Sequence, residues 1–132
     1  MADIFCFKIS GNIPSKKNSK QIFRNSKTGK HFITSSDAYK EFQKSALIQL
    51  KQQKSNNQIK FPIEKCKSIT VHIHYGTLHL KDNSNTIESV HDLLVDAGII
   101  SDDNWMVTGT TTQIPSYRKG ESGCDIFIEP HL

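Results

Sequence analysis

Long apolar runs are missing from this chain, and no stretch approaches the roughly 20 residues a helix needs to cross a bilayer. Met1 to Phe7 carries no basic region leading into such a run, so no membrane partner is expected and the cytoplasm is the expected location. Cysteine is scarce and unpatterned. Cys6, Cys66 and Cys124 are far apart, odd in number and without a C-x-x-C pair, which excludes a disulfide framework and a zinc knuckle and predicts buried free thiols. No Gly-rich phosphate loop and no Ser or Cys signature of nucleophilic chemistry is present. Internal repeats and low-complexity tracts are absent as well.

What is present is ordinary in amount and unusual in arrangement. With 132 residues, 36% of them hydrophobic and 23% charged, the chain has the composition of one globular domain spanning residues 1–132. The net charge is only +4, yet fifteen of the seventeen lysines and arginines precede residue 82. From Asp82 to Asp103 there are six acids and no lysine or arginine. The basic half suits a polyanion and the acidic centre suits a divalent cation.

Local patterning supplies the elements. Ile4 to Gly11 alternates and predicts a strand, closed by Asn12 and Pro14. Ile22-Phe23 and Phe32-Ile33, separated by the turn-forming Asn25 to Gly29, predict a hairpin within Ser15 to Ser36. Ser35 or Ser36 then caps a helix whose stripe is Tyr39, Phe42, Ala46, Leu47 and Leu50, with Lys51 to Gln58 as its frayed end and a loop. Ser68 to Tyr75 sets Ile69, Val71, Ile73 and Tyr75 against Thr70, His72 and His74, the period of a half-buried strand. A second helix begins near Asn85 with Ile87, Val90, Leu94 and Ala97 as its stripe and Gly98 as its left-handed cap. Met106 to Ile114 and Cys124 to Glu129 are expected to close the chain as strands. Strands with two main helices make a small α+β domain.

On that second helix Glu88 and Asp92 stand one turn apart on one face. Asp82 precedes the helix and Asp102-Asp103 follow it, so the acids converge only if Ile99-Ile100 doubles back along the helix. Convergence would supply the oxygen ligands a hard cation such as Mg²⁺ requires. Two readings are open for Glu88: a metal ligand, or the partner of Asn85 in a capping box that holds the helix start. Asp92 has a solvated helix acid as its alternative, and Asp102-Asp103-Asn104 a turn. An EF-hand is excluded, because Ile87 and Leu93 occupy the positions that need Gly and Glu. His72 and His74 are expected to be a polar strand face rather than a metal pair.

The complementary cluster is Lys16, Lys17, Lys20, Arg24, Lys27 and Lys30, six positive charges in fifteen residues with no acid among them. On a hairpin, with Asn18, Ser19, Asn25 and Ser26 as further donors, this run predicts contacts to DNA phosphates; a solvated hairpin is the alternative. Lys40, Lys44, Lys51 and Lys54 on the first helix can extend the same surface.

These residues also carry a family pattern. Asp82-Asn-Ser-Asn85-Thr-Ile-Glu88-Ser-Val-His-Asp92-Leu-Leu-Val-Asp-Ala97-Gly98-Ile-Ile-Ser-Asp102-Asp103 resembles the signature of RusA-type Holliday junction resolvases. Pro14-Ser15-Lys-Lys-Asn18, the basic loop after it and the Ser35 to Tyr39 helix start resemble that family's opening segment, so the likeness spans nearly the whole chain. It implies a homodimer with a mixed sheet and helices, acidic Mg²⁺ sites, and paired nicks across a four-way DNA junction in recombination and repair, in a family whose members suit a phage origin. By position it assigns Asp82 and Asp103 as catalytic aspartates, Asp92 and Asp102 as supporting acids, and Asn85 as the motif asparagine. Two positions depart: Ser84 stands where the pattern has its second Asp, and Glu88 where it has a Lys. With Glu88 replacing the missing acid the ligand count is unchanged, giving Asp82, Glu88, Asp92 and Asp103 as the metal set. The alternatives are a module that grips branched DNA without cutting it, and a nuclease for flaps or other branched DNA.

Overall fold

The computed structural model describes residues 4–13, 20–24, 31–35, 37–56, 60–77 and 83–131. Its main sheet has four strands: β1 (Phe5–Ser10), β4 (Cys66–Tyr75), β5 (Thr110–Tyr117) and β6 (Gly123–Pro130). Their order is β1-β6-β4-β5; β6 runs antiparallel to both neighbours, and β4 and β5 are parallel, so the sheet is mixed. A separate antiparallel pair, β2 (Lys20–Arg24) and β3 (His31–Ser35), forms the predicted hairpin with Phe23 opposite Phe32. The helices are α1 (Asp37–Ser55), α2 (Asn83–Asp96) and the single turn α3 (Trp105–Thr108). The α+β class and the mixed sheet agree with the sequence reading.

Alternation decides which face of the sheet is covered. Phe7 and Ile9 of β1, Ile69, Val71 and Ile73 of β4, and Cys124, Ile126 and Ile128 of β6 join Ala46 and Leu50 of α1, Val90, Leu93 and Leu94 of α2, and Ala97 just after α2 in one core. Each fully buried aliphatic side chain there contributes about 1.5–3 kcal/mol relative to exposure. The interleaved residues lie on the other face: His74 bonds Ser116 Oγ and Asp125 Oδ2, each at 3.1 Å, and the His72 ring meets Phe127 edge-on at 5.3 Å. The two histidines are thus a polar sheet face, as expected. Burial pushes the Cys66 thiol up to about 11 and Cys124 to about 12. Cys6 corrects the expectation of three buried thiols, because its position in β1 faces the uncovered side and it is exposed.

The first helix outlasts its stripe. Lys51 to Ser55 are helical rather than frayed, because two glutamines tie this end to the sheet. Gln53 accepts from Lys8 N at 2.7 Å and donates to Lys8 O at 2.6 Å; Gln49 accepts from Ser10 N at 2.9 Å and donates to Ser10 O at 3.4 Å. Four residues of helix rise about 6 Å and two residues of strand about 6.6–6.8 Å, so an i, i+4 glutamine pair matches the outward backbone groups of an edge strand. The pair occupies the edge of β1 that β6 leaves open.

The last strand region also departs from expectation. Met106 to Thr108 form α3 rather than the start of a strand, because the Asn104 side chain accepts from Met106 N at 3.0 Å and Val107 N at 3.2 Å. Gly109 then allows β5 to begin, since with φ of 63° a side chain there would also strike the carbonyls of Cys66 and Lys67.

Candidate functional site

The acids are arranged by the crossover between the parallel strands β4 and β5. A parallel pair cannot be closed by a tight turn, and α2 fills the connection. Its end is a Schellman motif: Gly98, at φ of 72°, donates to Val95 O at 2.9 Å, and Ile99 donates to Leu94 O at 2.9 Å. Lys54 Nζ sits on the Ala97 carbonyl at 3.0 Å, a cation at the negative end of the helix dipole. Buried Ile99 and Ile100 then run beside Ile63, which donates to Ile99 O at 2.8 Å and accepts from Ser101 N at 3.1 Å.

From that anchored segment the chain emerges at Asp102 and Asp103. Asp102 is exposed and occupied locally: Oδ1 accepts from Asp103 N at 2.8 Å and Oδ2 from Asn104 Nδ2 at 3.0 Å. The Asp103 amide, then the Asn104 side chain, hold its carboxyl below the usual carboxylate range. Asp102 therefore braces the turn, and Asp103 is the exposed acid this turn presents.

His91 reports where Asp103 lies. This half-buried residue of α2 meets Thr111 Oγ1 of β5 at 3.1 Å through Nε2. Burial lowers its pKa, and the charges of Asp103 and then Asp92 oppose that shift. Thr111 of β5 lying against His91 midway along α2, with Ile99 and Ser101 bonded to Ile63, shows that the chain after Ile100 returns along the helix. Glu88 is exposed and three residues before His91, hence on the same face as His91 and Asp92. His91 was not singled out in the sequence, although its i, i+3 spacing from Glu88 was there to be read.

Other expected site residues are less completely placed. Asp82, Lys16, Lys17, Lys27 and Lys30 lie outside the described residues. Lys20 and Arg24 stand at the two ends of β2, opposite Ser35 and His31. The helix starts at Asn83, which puts Asn85 inside the first turn and Glu88 beyond it. A capping box needs Asn85 at the cap and Glu88 three residues on, so that alternative loses its geometry.

Among the described residues no three His, Cys, Asp or Glu side chains converge on one point. The donors that share this side of α2, Glu88, Asp92 and Asp103, are carboxylates and hence hard oxygen ligands, the chemistry that suits Mg²⁺. Among the described residues no helix is long and apolar enough to cross a membrane. Comparison with protein-family models and with curated proteins finds no match.

Proposed function

We propose that this chain is a magnesium-dependent endonuclease of branched DNA, acting as a homodimer on four-way junctions in recombination and repair in the manner of the RusA-type resolvases it resembles. The observation that carries the reading is the return of the chain alongside α2 after Ile100, fixed where His91 meets Thr111 at 3.1 Å, with the exposed Asp103 on the turn between. Asp82, Glu88, Asp92 and Asp103 would hold the ion, which when bound polarises the scissile phosphate and lowers the pKa of an attacking water.

The remaining roles belong to the chain itself. Asp102 and Asn104 hold the turn that presents Asp103, and His91 fastens the acid-bearing face of α2 to β5 through Thr111. Lys16, Lys17, Lys20, Arg24, Lys27 and Lys30 hold backbone phosphates, separating DNA grip from chemistry. Two symmetric nicks need two acidic sites and one chain carries a single acidic stretch, so the active form is a dimer.

The test is incubation with Mg²⁺ and three labelled substrates: a synthetic four-way junction, a flap and a linear duplex. Paired nicks in the junction are expected, lost in Asp103→Asn, with junction binding in EDTA unchanged or tighter because a charge facing phosphate is gone. Cutting of the flap alone would move the substrate class. Binding without cutting would make the chain a non-cleaving module, the reading that Ser84 and Glu88 favour. Full activity in Asp103→Asn would sink the mechanism, and a monomer by sedimentation with and without DNA would sink the dimer.

A further inference from the structure

Two residues beyond Asp103, the chain presents the two most exposed large hydrophobic side chains among the described residues. Trp105 is 79% exposed and Met106, next to it on α3, is 64% exposed. A frayed segment would make this exposure trivial, but α3 is held from both ends. Asn104 caps it through Met106 N and Val107 N, Asp102 fixes the Asn104 amide at 3.0 Å, Gly109 N donates to Trp105 O at 3.0 Å, and Thr108 is buried. The backbone beneath the indole is therefore braced by the same turn that presents Asp103.

We infer that Trp105, supported by Met106, is a stacking element that takes an unpaired or splayed nucleobase at the branch point of the DNA. This rests on the reading of the chain as a branched-DNA nuclease and adds the feature that would recognise the branch. Two residues of extended chain span about 7 Å, and successive bases along a strand are about 3.4 Å apart. A phosphate that the basic residues bring near Asp103 would thus place its flanking bases within reach of the indole. Continuous duplex keeps base faces covered, whereas a branch point exposes them, so an aromatic side chain on a braced backbone beside the acids favours branched over linear DNA.

A second copy of the chain fits the patch less well. An aromatic side chain of this kind offers at most about 250 Å². Even doubling that for Met106 falls short of the roughly 800 Å² per partner that a stable interface buries.

Trp105 is the only tryptophan in the sequence, so intrinsic emission reports this position alone. The experiment titrates the full chain with a four-way junction and with linear duplex in EDTA, following binding separately by anisotropy of labelled DNA. Saturable quenching by the junction is expected, with the same midpoint as the anisotropy. Trp105→Ala should weaken junction binding by about 5- to 100-fold, with Trp105→Phe retaining most of the affinity and linear duplex little affected. Tight junction binding with unchanged emission and full affinity in Trp105→Ala overturns the inference and leaves the nuclease reading standing. Emission that shifts to the blue with protein concentration alone also overturns it, because a protein contact then covers the indole. No binding to any branched DNA removes the nuclease reading and this inference together.

Discussion

Glu88→Gln tests the metal-ligand role of Glu88, because loss of a ligand moves activity while leaving stability nearly unchanged. Glu88 is exposed and is the sixth residue of α2, past the first turn where helix-dipole and capping effects fall off. Its nearest like charge along the helix is Asp92, one turn on, a pairing that costs about 0.2–0.5 kcal/mol. Neutralising Glu88 should therefore raise stability by at most about 0.5 kcal/mol, a melting shift of about 1–3 °C upward, read by thermal denaturation in EDTA. Loss of a ligand from a metal site that supplies several kcal/mol to the transition state is a different matter. About 3 kcal/mol corresponds to roughly 100-fold in rate. Cleavage of labelled junction across a Mg²⁺ titration should show that loss, partly restored at high Mg²⁺ if the carboxylate mainly sets affinity. Full activity in Glu88→Gln removes it from the metal set; a capping role would leave both activity and stability within about 1 kcal/mol of wild type, because Gln serves a capping box nearly as well as Glu.

Neutralising Lys16, Lys17 and Lys20 together should weaken junction binding and flatten its salt dependence, while cutting at saturating protein persists; an unchanged salt slope would move the DNA surface elsewhere. Gln53→Ala removes both bonds to Lys8, and because those backbone groups are exposed and can be rehydrated, urea unfolding should show a loss near about 1 kcal/mol. Gln53→Glu, which sets an oxygen against the Lys8 carbonyl, should lose more; equal stability of all three proteins would refute the edge clamp. His91, with its folded pKa below the usual 6.5, leaves the unfolded chain binding more protons, so its contribution to stability is lost as pH falls below about 6.5. Urea unfolding in EDTA at pH 7.5 and 5.5 should therefore show a smaller drop for His91→Gln than for wild type, and equal drops would place the acid sensitivity elsewhere.

The elements legible in the sequence were those whose burial follows a single period. Tyr39, Ala46 and Leu50 on α1, Val90 and Leu94 on α2, Ala97 at its end, and the alternation of β4 are all buried where the spacing put them. The extra turn of α1 was not legible, because it is held by Gln49 and Gln53 against Lys8 and Ser10, contacts across some forty residues that no local window contains. Met106-Val107-Thr108 reads as strand by composition, and the Asn104 cap that makes it helical was taken only as part of a turn. In the site, the shared face of Glu88 and Asp92 follows from helix geometry alone. The approach of Asp103 does not, since it depends on Ile99 and Ile100 being buried against Leu94 and Ile63.

That dependence explains why the acidic stretch is interrupted by so apolar a segment. A loop that merely joined α2 to β5 has no need of Ile99-Ile100, and a polar linker would leave Asp102 and Asp103 free to range over several ångströms. Burying both isoleucines and bonding Ile99 and Ser101 to Ile63 fixes the exit direction of the chain. The Asp102-Asn104 turn then fixes the next two residues. Register along α2 is set with equal firmness, by Lys54 and Gly98 at its end and by His91 against Thr111 at its middle. A helix slipped by one residue would rotate Glu88 and Asp92 by about 100° and shift them about 1.5 Å, enough to separate them from Asp103. Glu88 and Asp103 are exposed and Asp92 is half-buried, so most of the energy that positions them is invested in buried neighbours. Mutations at Ile99, Ile100 or Leu94 thus belong to the site's chemistry as much as to the core.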